Sequence, residues 1–467
     1  MQRSEAGWFR PAFAFVALLT LLRWGLLAFD RTDLYVDESQ YWLWGQHFDF
    51  GYYSKPPLIG WLIGAVTTLA GSDSVFWVRM PGALLHGATA LILAAWANRA
   101  MGRREAVLVA ALYATLPMVA LGSLLISTDT VMAPFYAAAL YAFHRLTETR
   151  APRFALLAGA AIGAAFMAKY AAVYFLIGVA LIQLSPAHRI GWRNAALLLL
   201  GFAVVISPNI LWNLSHQLTT FSHTVDNVGW LRASGGPRLN AGSMAEFIAS
   251  QAAVVGPVVF AALLIALRRL PPFAAFVIPP LLVVSVQALL GEAQANWAVA
   301  AYFAGSLLAV QILRNHPRWA AASFAINAVI CLALPLLTIF TSLSFPNGKP
   351  LLDRQLGRAS MSRQIIALAH DNGDIPVLAE SRDILADLFY TGQNAGLTYY
   401  APRPKGRAEN HYEQRYPLPQ GLQGKLLLIT SEPPACAGDA LALDAKGGAY
   451  AKKHLAGYSV EAACVDK

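Results

Sequence analysis

Long apolar runs alternate with short polar ones along most of the chain. The apolar runs cover residues 11–29, 77–98, 105–122, 128–144, 154–168, 170–184, 195–211, 246–267, 272–290, 298–313 and 319–343. Most approach the roughly 20 residues that a helix needs to cross a bilayer. The pattern predicts a polytopic α-helical membrane protein with about eleven transmembrane helices. The two runs either side of Lys169 are short and read as a tight helical pair that does not fully cross. The first run does not read as a cleaved signal peptide: it contains Arg23, lacks a small-x-small cleavage site, and many spans follow.

Beyond Phe345 the pattern changes. "IPVLAE" and "KLLLIT" read as short buried strands, and "SRDILADLFYTG" reads as a helix closed by Gly392. We therefore expect a transmembrane domain over residues 1–344, with a first outer loop at 30–76, and a small soluble α/β domain over 345–467.

Composition supports this division. Hydrophobic residues make up 57% of the 467 residues and charged residues only 13%, a combination that soluble proteins of this size rarely show. The formal charge of +9 does not indicate nucleic acid, because the basic residues are scattered rather than gathered in a stripe. Instead they orient the chain. "MGRRE", "HRLTETRAPR", "AHRIGWR", "LRRL" and "RNHPR" are short and basic, which places them in the cytoplasm. The opposite set is poorer in Lys and Arg: residues 30–76, "GSLLISTD", the turn at Lys169, residues 212–245 and "GEAQANW". An odd span count then puts the C-terminal domain outside, where Cys436 and Cys464 are free to pair.

Most of the candidate chemistry falls in that outer set. "DLYVDESQYWLWGQHFDFGYYSKPPL" holds adjacent carboxylates, Asp37 and Glu38, and eight aromatic rings. A charge at the bilayer centre costs roughly 2.5–3.5 kcal/mol on insertion scales, and less at the interface. The pair therefore suits either a helix cap in a solvated corner or a functional site. Tyr35, Tyr41, Trp42, Trp44, Tyr52 and Tyr53 suit the membrane–water boundary and also stack on sugar faces. In "SKPPL", Pro56 and Pro57 fix the entry to the next helix and hold Lys55 before its start. That lysine suits a phosphate, or it snorkels to lipid headgroups.

Asp129 opens a span in "STDTVMAPF", where Ser127, Thr128 or Asp129 itself caps the helix. Lys169 has three open roles: pairing with Asp129, neutralising a lipid phosphate, or snorkelling. The stretch Ser207–Trp230 offers Asn209, Asn213, His216, His223, Asp226 and Asn227, without a convincing metal spacing. It reads as a polar loop that closes over a site. "GEAQANWAVAAYF" adds Glu292, Asn296 and Trp297. Together these features describe an outer-face cavity for an amphiphilic substrate with a phosphate and a sugar. No Walker loop, nucleotide fingerprint, nucleophile elbow or zinc helix is present, so neither metal nor cofactor is expected and the substrate must arrive activated.

At these residues the sequence resembles the GT-C glycosyltransferases, in the branch of the protein O-mannosyltransferases and the lipid A aminoarabinose transferases. "VDESQYW", "SKPPL", "STDTVMAPF", "GAAFMAKYAAV" and "QANWAVAAYF" carry the resemblance, which runs over about residues 10–310. A first outer loop with two helices, here about 37–48 and 56–70, is also typical of that fold. The resemblance implies a bacterial inner-membrane enzyme with an extracytoplasmic site and a polyprenyl-phosphate sugar donor. Lipid A or lipopolysaccharide core is the first acceptor expected, with another envelope glycan or a protein left open. By the same resemblance Asp37 matches the catalytic base and Glu38 its supporting neighbour. Lys55 matches the lysine on the lipid phosphate, Asp129 a second acid, and Lys169 a lysine near the cavity. Tyr35, Tyr41, Trp42, Tyr53, Asn296 and Trp297 are expected to line the substrate. Ser54 stands where the aminoarabinose branch has Glu, which leaves the donor sugar open. The chain has no room for the large lumenal insert of the eukaryotic mannosyltransferases. The mechanism expected is a single displacement with inversion.

Two other classes compete with this reading. A transporter or flippase of lipid-linked sugars favours internal repeats and midplane polar groups, whereas here the polar groups gather at one face. A non-catalytic binder of lipid sugars would be indifferent to loss of Asp37.

Overall fold

A computed structural model describes residues 7–226, 239–346, 348–445 and 447–465. The chain divides into two compact units. The first is Met1–Ala28, Lys55–Ile59 and Arg79–Pro335; the second is Phe29–Ser54, Gly60–Val78 and Leu336–Lys467.

The first unit is helical. Among the described residues, four helical segments of the whole chain are long and apolar enough to cross a membrane: Phe9–Leu27, Val75–Ala100, Trp192–Ser215 and Pro317–Ile339. Shorter apolar helices include Leu58–Ala70, Pro152–Ala168, Tyr170–Ile182, Ile278–Leu290 and Ala301–Leu313. The expected break at Lys169 is present. Pro152–Ala168 ends there, Lys169 is extended, and a 3₁₀ turn at Tyr170–Val173 leads into Tyr174–Ile182.

Two spans read as continuous are broken, and proline is the cause in both. The run 105–122 forms Arg103–Thr115 and Pro117–Gly122, with Leu116 extended between them. A proline ring disfavours helical geometry in the residue before it. The run 246–267 forms Ala241–Val255 and Pro257–Leu267, bent by 112° at Gly256. Gly256 has φ 88°, a region that favours glycine, and a β-carbon there would lie 2.7 Å from Asn327 Oδ1.

The core of this unit is aromatic. Tyr136 packs on Phe303 at 5.2 Å, and Phe276 packs on Phe143 and Phe175 at 5.5 and 5.4 Å between centroids. Arg23, the one charge inside the first apolar run, turns inward and donates from Nη2 to the Ala114 carbonyl at 2.6 Å. A charge in an apolar helix is tolerated when it finds such an internal acceptor.

The second unit contains a five-stranded sheet. Its strands are β1 (Val377–Ala379), β2 (Tyr399–Tyr400), β3 (Lys425–Thr430), β4 (Leu441–Ala442) and β5 (Ala456–Glu461), in the order β2-β1-β3-β5-β4. β1 runs parallel to β2 and β3, while β5 is antiparallel to β3 and β4. Leu378, Leu418, Leu426, Leu428 and Val460 form a core on one face. A disulfide joins Cys436 and Cys464, whose Cα atoms are 6.1 Å apart.

The first-loop helix Val36–Gln46 belongs to this unit and packs against the helix Arg382–Thr391. It also crosses the Leu58–Ala70 helix at Gly45 and Gly64. A β-carbon on Gly64 would sit 2.3 Å from the Gly45 carbonyl oxygen, so only glycine permits this approach.

Candidate active site

Each unit gathers a set of the residues singled out by the sequence. In the second unit the Val36–Gln46 helix sorts the Asp-Glu pair into two jobs. Glu38 is buried and its Oε2 accepts from the Tyr35 backbone N–H at 2.9 Å, which closes the helix start. Asp37 is half-exposed and accepts at Oδ1 from Arg382 Nη2 at 2.5 Å. Arg382 also donates from Nε to Gln40 Oε1 at 3.0 Å. Arg382 opens its own helix after β1. Burial alone would lower its proton affinity, but the Asp37 carboxylate outweighs this and holds it above its ordinary value.

The aromatic rings of the loop are mostly built into this unit. Trp42 is buried, donates to Asp73 Oδ1 at 2.8 Å, and meets Tyr390 edge-on at 5.0 Å. Tyr53 is buried and donates to the Ala408 carbonyl at 2.9 Å. Tyr41 is buried against Trp44. Tyr35 is half-buried, with the Arg358 guanidinium 5.3 Å from its ring centre. Leu43, Trp44, His47, Tyr52, His411, Arg415 and Tyr416 enclose a cavity of about 300 Å³. His411 is buried there, and burial lowers its pKa to about 3, so the ring is neutral at physiological pH.

In the first unit, Asp129, Lys169 and Asn296 meet. Lys169 Nζ donates to both Asp129 oxygens at 2.7 Å, and Asn296 Nδ2 donates to Asp129 Oδ2 at 2.9 Å. Of the roles open to Lys169, the structure shows the pairing. Asp129 does not cap its helix, Thr128–Thr149; Ser127 does, accepting from the Thr130 N–H. Asp129 is thereby left free for the ion pair in the first turn, where the helix dipole favours a negative charge. Lys55 is half-buried and precedes the Leu58–Ala70 helix by three residues.

The stretch Ser207–Trp230, read as a polar loop, is only partly one among its described residues. The Trp192–Ser215 helix runs through Asn209 and Asn213, which are fully buried. Tyr170 donates to Asn209 Oδ1 at 2.9 Å, and Asn213 Nδ2 donates to the Tyr170 hydroxyl at 3.3 Å. His216 stacks on Trp212, and His223 and Asp226 lie on a further helix, Thr219–Asp226. Asn227 lies outside the described residues. Trp297 packs against a cluster of Phe247, Val284, Ala288 and Ala298.

This chain matches the Dolichyl-phosphate-mannose-protein mannosyltransferase family over residues 54–212. It is 40% identical over 472 residues to the lipid A galacturonosyltransferase RgtD of Rhizobium johnstonii, covering 98% of this chain and 99% of that protein. The chain belongs to the GT-C glycosyltransferases. Its fold is also that of a solved member. ArnT from Cupriavidus metallidurans in the apo state superposes with a TM-score of 0.65 at 12% identity, over 97% of this chain and 98% of that one. The same protein bound to undecaprenyl phosphate gives 0.67 at 13% identity over the same shares. As a GT-C enzyme, this integral membrane protein is a glycosyltransferase.

Sequence reasoning missed two residues of these candidate sets. Arg382 sits in "SRDILADLFYTG", legible as a helix but not as the partner of a carboxylate 345 positions earlier. Tyr170 is the other, because its role appears only once Asn209 and Asn213 are seen to face it.

Proposed function

We propose that this glycosyltransferase moves a uronic sugar from a polyprenyl-phosphate donor to lipid A at the outer face of the bacterial inner membrane. The observation that carries this reading is the full-length identity to a lipid A galacturonosyltransferase. The lipid-phosphate donor is supported by the fold shared with a protein solved with undecaprenyl phosphate. An extracytoplasmic site agrees with the basic loops on the opposite side and with the Cys436–Cys464 disulfide, which suits an oxidising compartment. In this reading the shorter helices complete about eleven crossings, and residues 345–467 form an outer α/β domain.

The chemistry proposed is one displacement at the anomeric carbon. Asp37 takes the proton of the acceptor hydroxyl. The acceptor oxygen bonds to C1 as the bond from C1 to the phosphate oxygen breaks, which inverts the configuration. Lys55 offsets the charge of the leaving polyprenyl phosphate. By the family resemblance Asp129 is read as a second acid and Lys169, its partner in the first unit, as a cation for a lipid phosphate. Removal of a proton by a placed carboxylate is worth roughly 10²–10⁴-fold. Positioning and charge stabilisation supply the rest.

The test is mass spectrometry of lipid A from a deletion strain complemented with wild type or with Asp37→Asn. A uronic sugar that is lost on deletion and restored by wild type alone is the expected result. Restoration by Asp37→Asn would remove the base assignment and favour transport of lipid-linked sugars. A lipid A that is unchanged on deletion would remove the acceptor assignment.

A further inference from the structure

A uronic sugar differs from its neutral hexose by a carboxylate in place of a hydroxymethyl group. A fixed arginine near the reacting centre suits its selection, because the guanidinium matches a carboxylate geometrically. We propose that Arg382 is that cation: it binds the carboxylate of the donor sugar while it holds Asp37. The proposal rests on the reading of a uronic donor and of Asp37 as base.

The guanidinium is already aimed. Nη2 is tied to Asp37 and Nε to Gln40 Oε1, so two bonds fix the plane of the fork. A guanidinium carries five N–H donors, and Nη1 has no partner among the described residues. The Arg382 side chain retains 37% exposure and the Asp37 side chain 47%. An incoming carboxylate therefore meets an open, pre-oriented edge of the fork, and Oδ2 of Asp37, which has no partner among the described residues, stays available for the proton. Arg382 is also the first residue of the ten-residue helix Arg382–Thr391, whose N-terminus favours a negative charge.

Three other cations of this unit have partners of their own. Arg415 pairs with Asp49 and Lys453 with Asp383, each at 3.2 Å. Arg358 is buried beside the Tyr35 and Tyr450 rings. Arg382 thus differs from a lysine or a lone surface arginine in offering planar recognition beside the proposed base.

The rival role is positioning alone, in which Arg382 orients Asp37 and ignores the sugar. Full-length enzyme in lipid nanodiscs separates the two, with polyprenyl-phosphate galacturonate and polyprenyl-phosphate galactose as paired donors. The readout is the ratio of kcat/KM between them. Wild type should favour the uronic donor. Arg382→Gln should reduce that preference by roughly ten- to a hundredfold, the range expected for a hydrogen bond to a charged group, chiefly through KM. Arg382→Lys, which keeps the charge, should retain part of the preference. Equal losses on both donors in Arg382→Gln, or a wild type without the preference, would overturn the proposal. Asp37→Asn reports separately on the underlying reading. It should lose turnover on both donors, and turnover retained by that variant would sink the base assignment without touching the donor ratio.

Discussion

Single residues in this enzyme owe their state to specific partners. Asp129 and Lys169 are 14% and 17% exposed, so each charge depends on the other more than on water. Removing one partner of such a pair leaves an uncompensated charge, at a cost of about 3 kcal/mol. We expect Lys169→Met to lower stability by about that amount. The double variant Asp129→Asn with Lys169→Met should recover most of the loss. Thermal unfolding of the four proteins in detergent closes the cycle, and additive losses would mean that the pair is not coupled. Asp37 and Glu38 differ in kind although they are neighbours. Glu38 closes its helix start, so Glu38→Ala, which removes the acceptor, should lower the unfolding temperature, whereas the Asp37→Asn effect should fall on turnover.

At the scale of elements, the apolar pattern made most of the helical layout legible. Periodicity located the runs because lipid-facing and core-facing positions are both apolar along them. It missed the bends at Leu116–Pro117 and Gly256–Pro257, because hydropathy carries no information on backbone direction; the prolines were the available signal. "KLLLIT" is β3 and "IPVLAE" contains β1, because a short continuous apolar run with β-branched residues suits a sheet interior. Asn209 and Asn213 misled the reading of their segment. Polar residues on a helix look like a loop until their partner, Tyr170, is known. The close crossing at Gly45 and Gly64 was also illegible, since contact between two helices depends on their angle. That crossing yields a sharp expectation. Gly64→Ala should cost about 1–3 kcal/mol by overpacking and should lower turnover, because Gly45 lies on the helix that bears Asp37. Gly25→Ala serves as control: its β-carbon would meet nothing within 4 Å, so stability should hold or rise slightly. Unfolding temperature and turnover, measured together on both variants, check this.

For the molecule as a whole, residues far apart in the chain are joined late. Cys436 and Cys464 close a segment with a separation of 28 residues. A crosslink over that length typically stabilises by about 3 kcal/mol. Cys436→Ser should therefore lower the unfolding temperature, and reductant should lower that of the wild type but not of the variant. In intact cells, thiol alkylation before and after reduction should report a closed bridge, as an oxidising compartment requires. The contact between Asp37 and Arg382 has a further consequence, in time rather than in space. The ribosome adds roughly 5–20 residues per second. The 345 residues that separate the two side chains then take on the order of tens of seconds to appear. Through that interval the first loop carries its carboxylate without the arginine that holds it. A chain whose synthesis stops before Arg382 leaves Asp37 without this partner, so on the proposed reading only chains made nearly to the end should carry the activity.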